Sequence, residues 1–250
     1  MTEDIEKADD GEKKPILGYW KIRGLAQPIR LLLAYCGVDW EDKFYREGDP
    51  PDCDQSDWLY DKQVLGLELP NLPYFTHGSI NVTHAGAIMR YIAEVHGMSG
   101  CTEEAQLAAE MAYFELEDWR NECLALFYVH YGEDGATDRY LATALPRYLM
   151  RFSRIFSDAR LFLVGREVTY PDFLLYELLE WSLFAEPECL LTFPRLEAFR
   201  RRIESLPPVR TYIDSNRFIR WPLTGNRARF GTKRDNQVIL SHHTRQHSIF

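Results

Sequence analysis

Three short groups in this chain carry atoms that could hold and activate a small anionic peptide. Tyr19 closes a short apolar run and offers a phenol, which donates one hydrogen bond and accepts others. Asn71-Leu72-Pro73 precedes a strand-like run, where a proline is tolerated if its missing N–H faces a loop or ligand. A cis Leu72–Pro73 bond would turn the N–H and C=O of Leu72 sideways, and a peptide could pair with them as an added strand. Thr83-His84-Ala85 opens a helical pattern, and the free N–H groups of a helix start suit a carboxylate. Each group alone has an ordinary reading, since a tyrosine at a strand end packs more often than it reacts. Phenol, exposed backbone and helix start together describe the site.

The elements that must position these groups follow from periodicity. Residues 16–20 read as a strand broken by Gly24, and Pro28 suits the first turn of a helix that ends near Gly37. Residues 40–46 form a second strand candidate, followed by a Pro- and Asp-rich loop over 48–57. Residues 72–76 and 79–83 suggest a hairpin around His77-Gly78, and 85–95 a helix closed by His96-Gly97. Beyond Gly100 the pattern is helical over 103–131, 137–157, 172–184 and 193–205. Thr169 and Asp172 frame a helix start, with Asp172 reaching back to the capping residue's N–H. The expected organisation is an acidic tail over 1–14, an α/β unit over 15–97, an all-helical unit over 98–231 and a tail over 232–250.

Composition narrows the partners. Lys and Arg number 29 against 38 Asp and Glu, a formal net charge of -9, which argues against nucleic acid. The chain has no apolar stretch of bilayer-spanning length, so no membrane role is expected. Five scattered cysteines without a CxxC read as reduced thiols of a cytoplasmic protein. His242, His243 and His247 sit in a polar tail with no cysteine or acidic pair to complete a metal set, and no metal is expected.

Residues 15–30, PILGYWKIRGLAQPIR, are very similar to the opening of the mu-class cytosolic glutathione transferases, above all those of parasitic flatworms. Residues 67–74, LELPNLPY, resemble that family's peptide-binding turn, 168–176, VTYPDFLLY, its helical capping motif, and 218–225, FIRWPLTG, its closing segment. The resemblance implies a thioredoxin-like first domain packed on a helical-bundle second domain. It implies an enzyme that adds the glutathione thiolate to small hydrophobic electrophiles. Tyr19 would donate its hydroxyl hydrogen to the sulfur and favour the thiolate. Trp20 would line the site, Trp58 and Lys62 would hold the glycine carboxylate, and Asn71, Leu72 and Pro73 would meet the middle of the tripeptide. Tyr128 and Leu25 would face the electrophile, with Tyr128 assisting some ring openings. The resemblance also implies a homodimer, in which Asp118 reaches the partner's glutathione.

One pair departs from the family pattern. His84-Ala85 stands where Gln-Ser ordinarily binds the γ-glutamyl carboxylate. Weakened glutathione binding is expected, and a non-catalytic carrier on the same fold is the competing reading. A thiol-redox enzyme lacks its nucleophile, because Tyr19-Trp20 stands where a reactive cysteine would be needed.

Overall fold

The computed structural model describes residues 13–235. Both expected tails lie mostly outside the described residues, as do His242, His243 and His247. The first unit is a four-stranded sheet in the order β2-β1-β3-β4. Its strands are β1 (Ile16–Trp20), β2 (Glu41–Tyr45), β3 (Tyr74–His77) and β4 (Ile80–Thr83). β1 runs parallel to β2 and antiparallel to β3, and β3 and β4 form the hairpin. Gly18 is a steric requirement, since a Cβ there would lie 2.1 Å from the Tyr74 ring.

Helix α1 (Gln27–Tyr35) buries Ile29, Leu31, Leu32 and Leu33, with Pro28 in its first turn. A short α2 (Ser56–Val64) covers the loop after β2, and α3 (Ala85–His96) ends on Gly97 in the left-handed conformation that glycine adopts freely. This arrangement is a thioredoxin-like βαβ unit, and the longer elements after it, among the described residues, are helices.

In the second unit α4 (Glu103–Ala125) packs on α7 (Tyr170–Ala185), which is buried from Tyr170 to Phe184. A helix buried on every face belongs in the middle of a bundle, and here α8 (Pro194–Ser205) and α1 also pack on it, with α6 (Leu145–Ser153) and α9 (Pro207–Asp214) against α8. The helix expected over 103–131 changes to a π-helical turn at Leu126–His130. The one expected over 137–157 begins as α5 (Ala136–Arg139), passes a second π turn at Tyr140–Ala144 and ends with Ser153. Helix α9 was not among the expected helices, and Pro207-Pro208 suits its first turn.

At the start of α7, Asp172 accepts hydrogen bonds from Thr169 N–H at 2.8 Å, the Thr169 hydroxyl at 3.0 Å and Leu163 N–H at 2.9 Å. The two units are joined by a buried pair: Arg23 Nε and a terminal nitrogen donate to Glu177 at 2.9 and 2.6 Å. The segment expected to begin the second tail is folded at its start. Trp221 Nε1 donates to the Thr232 carbonyl at 2.9 Å, and Thr232 N–H donates to Asp235 at 2.9 Å.

Candidate functional site

Tyr19 is buried at the end of β1, and its hydroxyl oxygen accepts the Leu25 N–H at 3.2 Å. One lone pair is thereby occupied while the O–H hydrogen stays free to donate. Burial pushes the phenol well above its ordinary range, against the Leu25 bond, so Tyr19 keeps its proton at any working pH. Gly24 makes the turn possible: its φ is +44°, and a Cβ there would sit 2.8 Å from the Tyr19 hydroxyl. That same point is 3.2 Å from Ile22 Cδ1, so Ile22 borders the phenol.

Leu72–Pro73 is cis, as the sequence suggested. The Leu72 N–H is not bare, however: it donates to Asn71 Oδ1 at 2.9 Å. An incoming strand must displace the Asn71 amide. Asn71 Nδ2 then faces His84 Nε2 at 3.2 Å, and His84 Nδ1 faces the Thr83 hydroxyl at 3.0 Å. Since the amide nitrogen donates, Nε2 accepts and the neutral ring carries its proton on Nδ1. Both ring nitrogens of His84 are thus engaged inside the protein.

His84 has φ +68°, costly for a residue with a side chain, and it precedes α3 without providing a side-chain cap. The first N–H groups of that helix have no intrahelical acceptors, and Ala85 is buried beside them with no hydroxyl to add.

Trp58 stacks on Tyr74 with centroids 6.2 Å apart and meets Tyr45 edge-on at 5.3 Å. Its ring is part of a buried aromatic floor, while Lys62 lies exposed on the last turn of α2. Nearby, Tyr45 donates to Asp61 at 2.9 Å. Asp118 is exposed on α4 and has no hydrogen bond or ion pair among the described residues.

Tyr128 stands in the first π turn, where its hydroxyl accepts the Gly225 N–H at 2.9 Å. Burial raises its pKa too, and the two phenols are close enough to couple electrostatically. The next amide, Asn226 N–H, donates to Glu47 Oε2 at 2.6 Å, and Asn226 Nδ2 donates to the carbonyls of Glu47 and Gly48 at 3.1 and 2.9 Å. A Cβ on Gly225 would meet Glu47 Oε2 at 2.5 Å and the Tyr128 hydroxyl at 3.3 Å. Residues 221–231 therefore form a strap fastened to both units, and Arg23 and Gly24 N–H donate to its Pro222 and Leu223 carbonyls at 2.9 Å each.

Beneath the strap lies a cleft of about 200 Å³ whose wall includes Trp20, Ile22, Tyr45, Glu47 and Asn226. Ile22 ties it to Tyr19 and the Glu47–Asn226 corner to Tyr128. A larger cavity of about 790 Å³, lined by Glu122, Leu126, His130 and Tyr140, contains none of the residues expected from the sequence. The sequence reading missed Ile22, Glu47, Gly225 and Asn226. Asn226 and Glu47 are 179 residues apart and share no local pattern.

The comparisons with known proteins show the family. Residues 15–94 match the model for the glutathione S-transferase N-terminal domain and 117–216 the model for its C-terminal domain. Mouse (Mus musculus) glutathione S-transferase Mu 4 is 42% identical over 87% of this chain and 98% of its own. The chain belongs to the glutathione S-transferase family. The Fasciola hepatica class-mu 26 kDa isozyme 51 is 41% identical over 86% of this chain and 95% of its own. The likeness to mammalian mu enzymes is thus as strong as that to a flatworm enzyme, and the chain is mu-class-like without the flatworm preference expected from its motifs. Among solved structures, the glutathione S-transferase Blo t 8 superposes with a TM-score of 0.77 at 31% identity, covering 86% of this chain and 99% of that one.

Proposed function

We infer that this protein is a glutathione transferase that joins the glutathione thiolate to small hydrophobic electrophiles. The observation that carries the reading is the Tyr19 hydroxyl: its oxygen is occupied by Leu25 N–H, its proton is retained through burial, and Ile22, which lines a cleft, stands beside it. A donor so arranged stabilises a sulfur anion more than a thiol. The thiolate then attacks the electrophile directly. For a halogenated arene the C–S bond forms first and halide leaves. For an enone or epoxide the oxygen that gains charge needs a proton, which Tyr128 can donate because its own oxygen already accepts Gly225 N–H.

In this reading the tripeptide lies along Asn71, Leu72 and Pro73, with its γ-glutamyl carboxylate at His84-Ala85 on the uncapped start of α3. Its glycine end lies near Trp58 and Lys62, and Trp20 and Leu25 line the path to the electrophile. A homodimer is supported by Leu107, Met111 and Phe114, which form an exposed apolar row along α4 at helical spacing. Asp118 continues that row and, in this reading, reaches the partner's glutathione. A cytoplasmic setting agrees with five free cysteines, and among the described residues no helix is long and apolar enough to cross a membrane.

His84 and Leu72 favour a second reading, a carrier with little glutathione chemistry, because both are tied to Asn71. Conjugation of a chloronitroarene at millimolar glutathione separates the two. A rate above the buffer reaction establishes the transferase, and no rate at saturating glutathione favours the carrier.

A further inference from the structure

Acids outnumber bases in this chain, 38 to 29, and many of its arginines are paired with them, as in Arg90–Glu110, Arg147–Glu122, Arg200–Glu197 and Arg210–Asp214. One face of the second unit departs from that habit. Between α6 and α7 the chain folds back twice, with Ser157 bridged to Arg160 and Phe162 to Gly165. Guanidiniums converge on the carbonyls of this loop. Arg160 donates to the Leu163 carbonyl through Nε at 3.1 Å and through a terminal nitrogen. Arg166 donates to the Asp158 carbonyl at 3.2 Å. Arg202 reaches across from α8 to the Leu161 carbonyl at 3.0 Å and lies over the Phe162 ring. Arg195, exposed at the start of α8, shares a helical face with Arg202 about 10 Å away. Among the described residues none of the four arginines has an ion pair. Asp158 and Glu167, the acids beside them in sequence, are exposed and beyond pairing distance, and buried Asp172 acts on Arg160 at longer range.

Holding the loop uses one or two of the five N–H donors of each anchored guanidinium. The remaining donors and the charge have no counterpart among the described residues. Arginine has the planar fork that meets a carboxylate edge to edge. Here the backbone already holds three forks in place, so little side-chain freedom is left to lose on binding. Cations spread over about 10 Å of helix exceed the width of one anion and call for a row of them. An extended peptide supplies such a row, since side chains on one face recur about every 7 Å. A bilayer fits poorly, because Leu191 is the one exposed large apolar side chain between residues 151 and 202. A long nucleic acid would carry its phosphates past this face and over an otherwise acidic surface. A short acidic run ends within about one Debye length, roughly 8 Å, of the arginines. We propose that Arg160, Arg166, Arg195 and Arg202 form a docking face for an acidic linear segment of a partner protein, with Asp or Glu at alternate positions of an extended strand. The face shares no residue with the groups assigned to glutathione and its electrophile, so a partner held there leaves that site open.

The test is anisotropy of a fluorescein-labelled (Glu-Ser)6 peptide titrated with the full chain, with (Gln-Ser)6 as the neutral control. Binding of the acidic peptide alone is expected, and it should weaken at least tenfold between about 20 and about 200 mM salt. Arg166→Gln/Arg195→Gln, which leaves the bonds of Arg160 and Arg202 in place, should weaken it by about five- to tenfold. Arg147→Gln/Arg210→Gln removes the same charge elsewhere and should change binding less than about twofold. Urea unfolding checks that each variant is folded. Should the loop loosen in the first, Arg195→Gln alone, at a side chain with no contact to the loop, should still weaken binding by about two- to threefold. No binding at low salt, equal binding of the two peptides, or equal losses in the two double variants overturns the proposal. Tighter binding of a single-stranded DNA of about twelve nucleotides, or of phosphatidylserine vesicles, that is lost in Arg166→Gln/Arg195→Gln also overturns it and assigns the face to that partner.

Discussion

Replacing Ala85 with serine should strengthen glutathione binding by about ten- to a hundredfold. Ala85 is the first residue of α3, its methyl is buried, and the N-terminus receives no side-chain cap. The first-turn N–H groups can meet the γ-glutamyl carboxylate but cannot surround it. A serine hydroxyl at that point adds one hydrogen bond to a charged group, worth about 1.5–3 kcal/mol, and each 1.4 kcal/mol is a factor of about ten in affinity. The gain from the neighbouring position is smaller. His84 must first give up Asn71 and Thr83, so a His84→Gln change trades existing bonds for new ones. The assay is calorimetric titration of wild type and Ala85→Ser with glutathione and with cysteinylglycine, which lacks the γ-glutamyl group. Stronger binding of glutathione alone is the expected result. An equal gain for cysteinylglycine, or a gain below about threefold, would refute this placement of the carboxylate. Micromolar affinity in the wild type would refute the premise that His84-Ala85 weakens the site.

Tyr19→Phe removes the donor to sulfur, a charge-assisted bond of about 1.5–3 kcal/mol, so the rising limb of the pH–rate profile should move up by about one to two units; an unmoved limb assigns thiolate stabilisation elsewhere. Tyr128→Phe should slow enone or epoxide conjugation by about a hundredfold, roughly the low end for a general acid. Chloronitroarene conjugation, in which halide leaves without a proton, should change far less, and equal losses would make Tyr128 a packing residue. Asp172→Ala leaves the buried N–H groups of Leu163 and Thr169 without their acceptor and should lower stability by about 3–5 kcal/mol in urea unfolding. A loss below about 1 kcal/mol would show that the loop over 163–169 finds other partners.

The parts of the fold legible in the sequence are those whose cause is local. β1 was found at Ile16–Trp20, the hairpin at β3 and β4 within two residues, and the cis Leu72–Pro73 turn from one proline in front of a strand. The Thr169–Asp172 start of α7 was legible because capping acts across three residues, and both halves of the capping box are present, with the Thr169 hydroxyl also donating to the carboxylate. The π turns at Leu126 and Tyr140 escaped notice because one extra residue in a turn barely alters the apolar period. Helix α9 was missed because prolines look alike whether they stop a helix or start one.

The same division runs through the candidate site, with a consequence for specificity. The groups assigned to glutathione, Tyr19, Asn71-Leu72-Pro73 and His84-Ala85, sit in three compact stretches that a reader of the sequence can recognise. The walls of the electrophile cleft come from residues 20–22, the loop after β2 and the strap near Asn226, brought together by contacts such as Glu47 with Asn226. No local pattern announces them, because their meaning arises when the strap closes on the first unit. Substitutions there reshape the wall of the cleft while the motifs that mark the family stay intact. Resemblance in those motifs therefore argues for the thiol half of the reaction, and the wall of the cleft must be read from the folded chain.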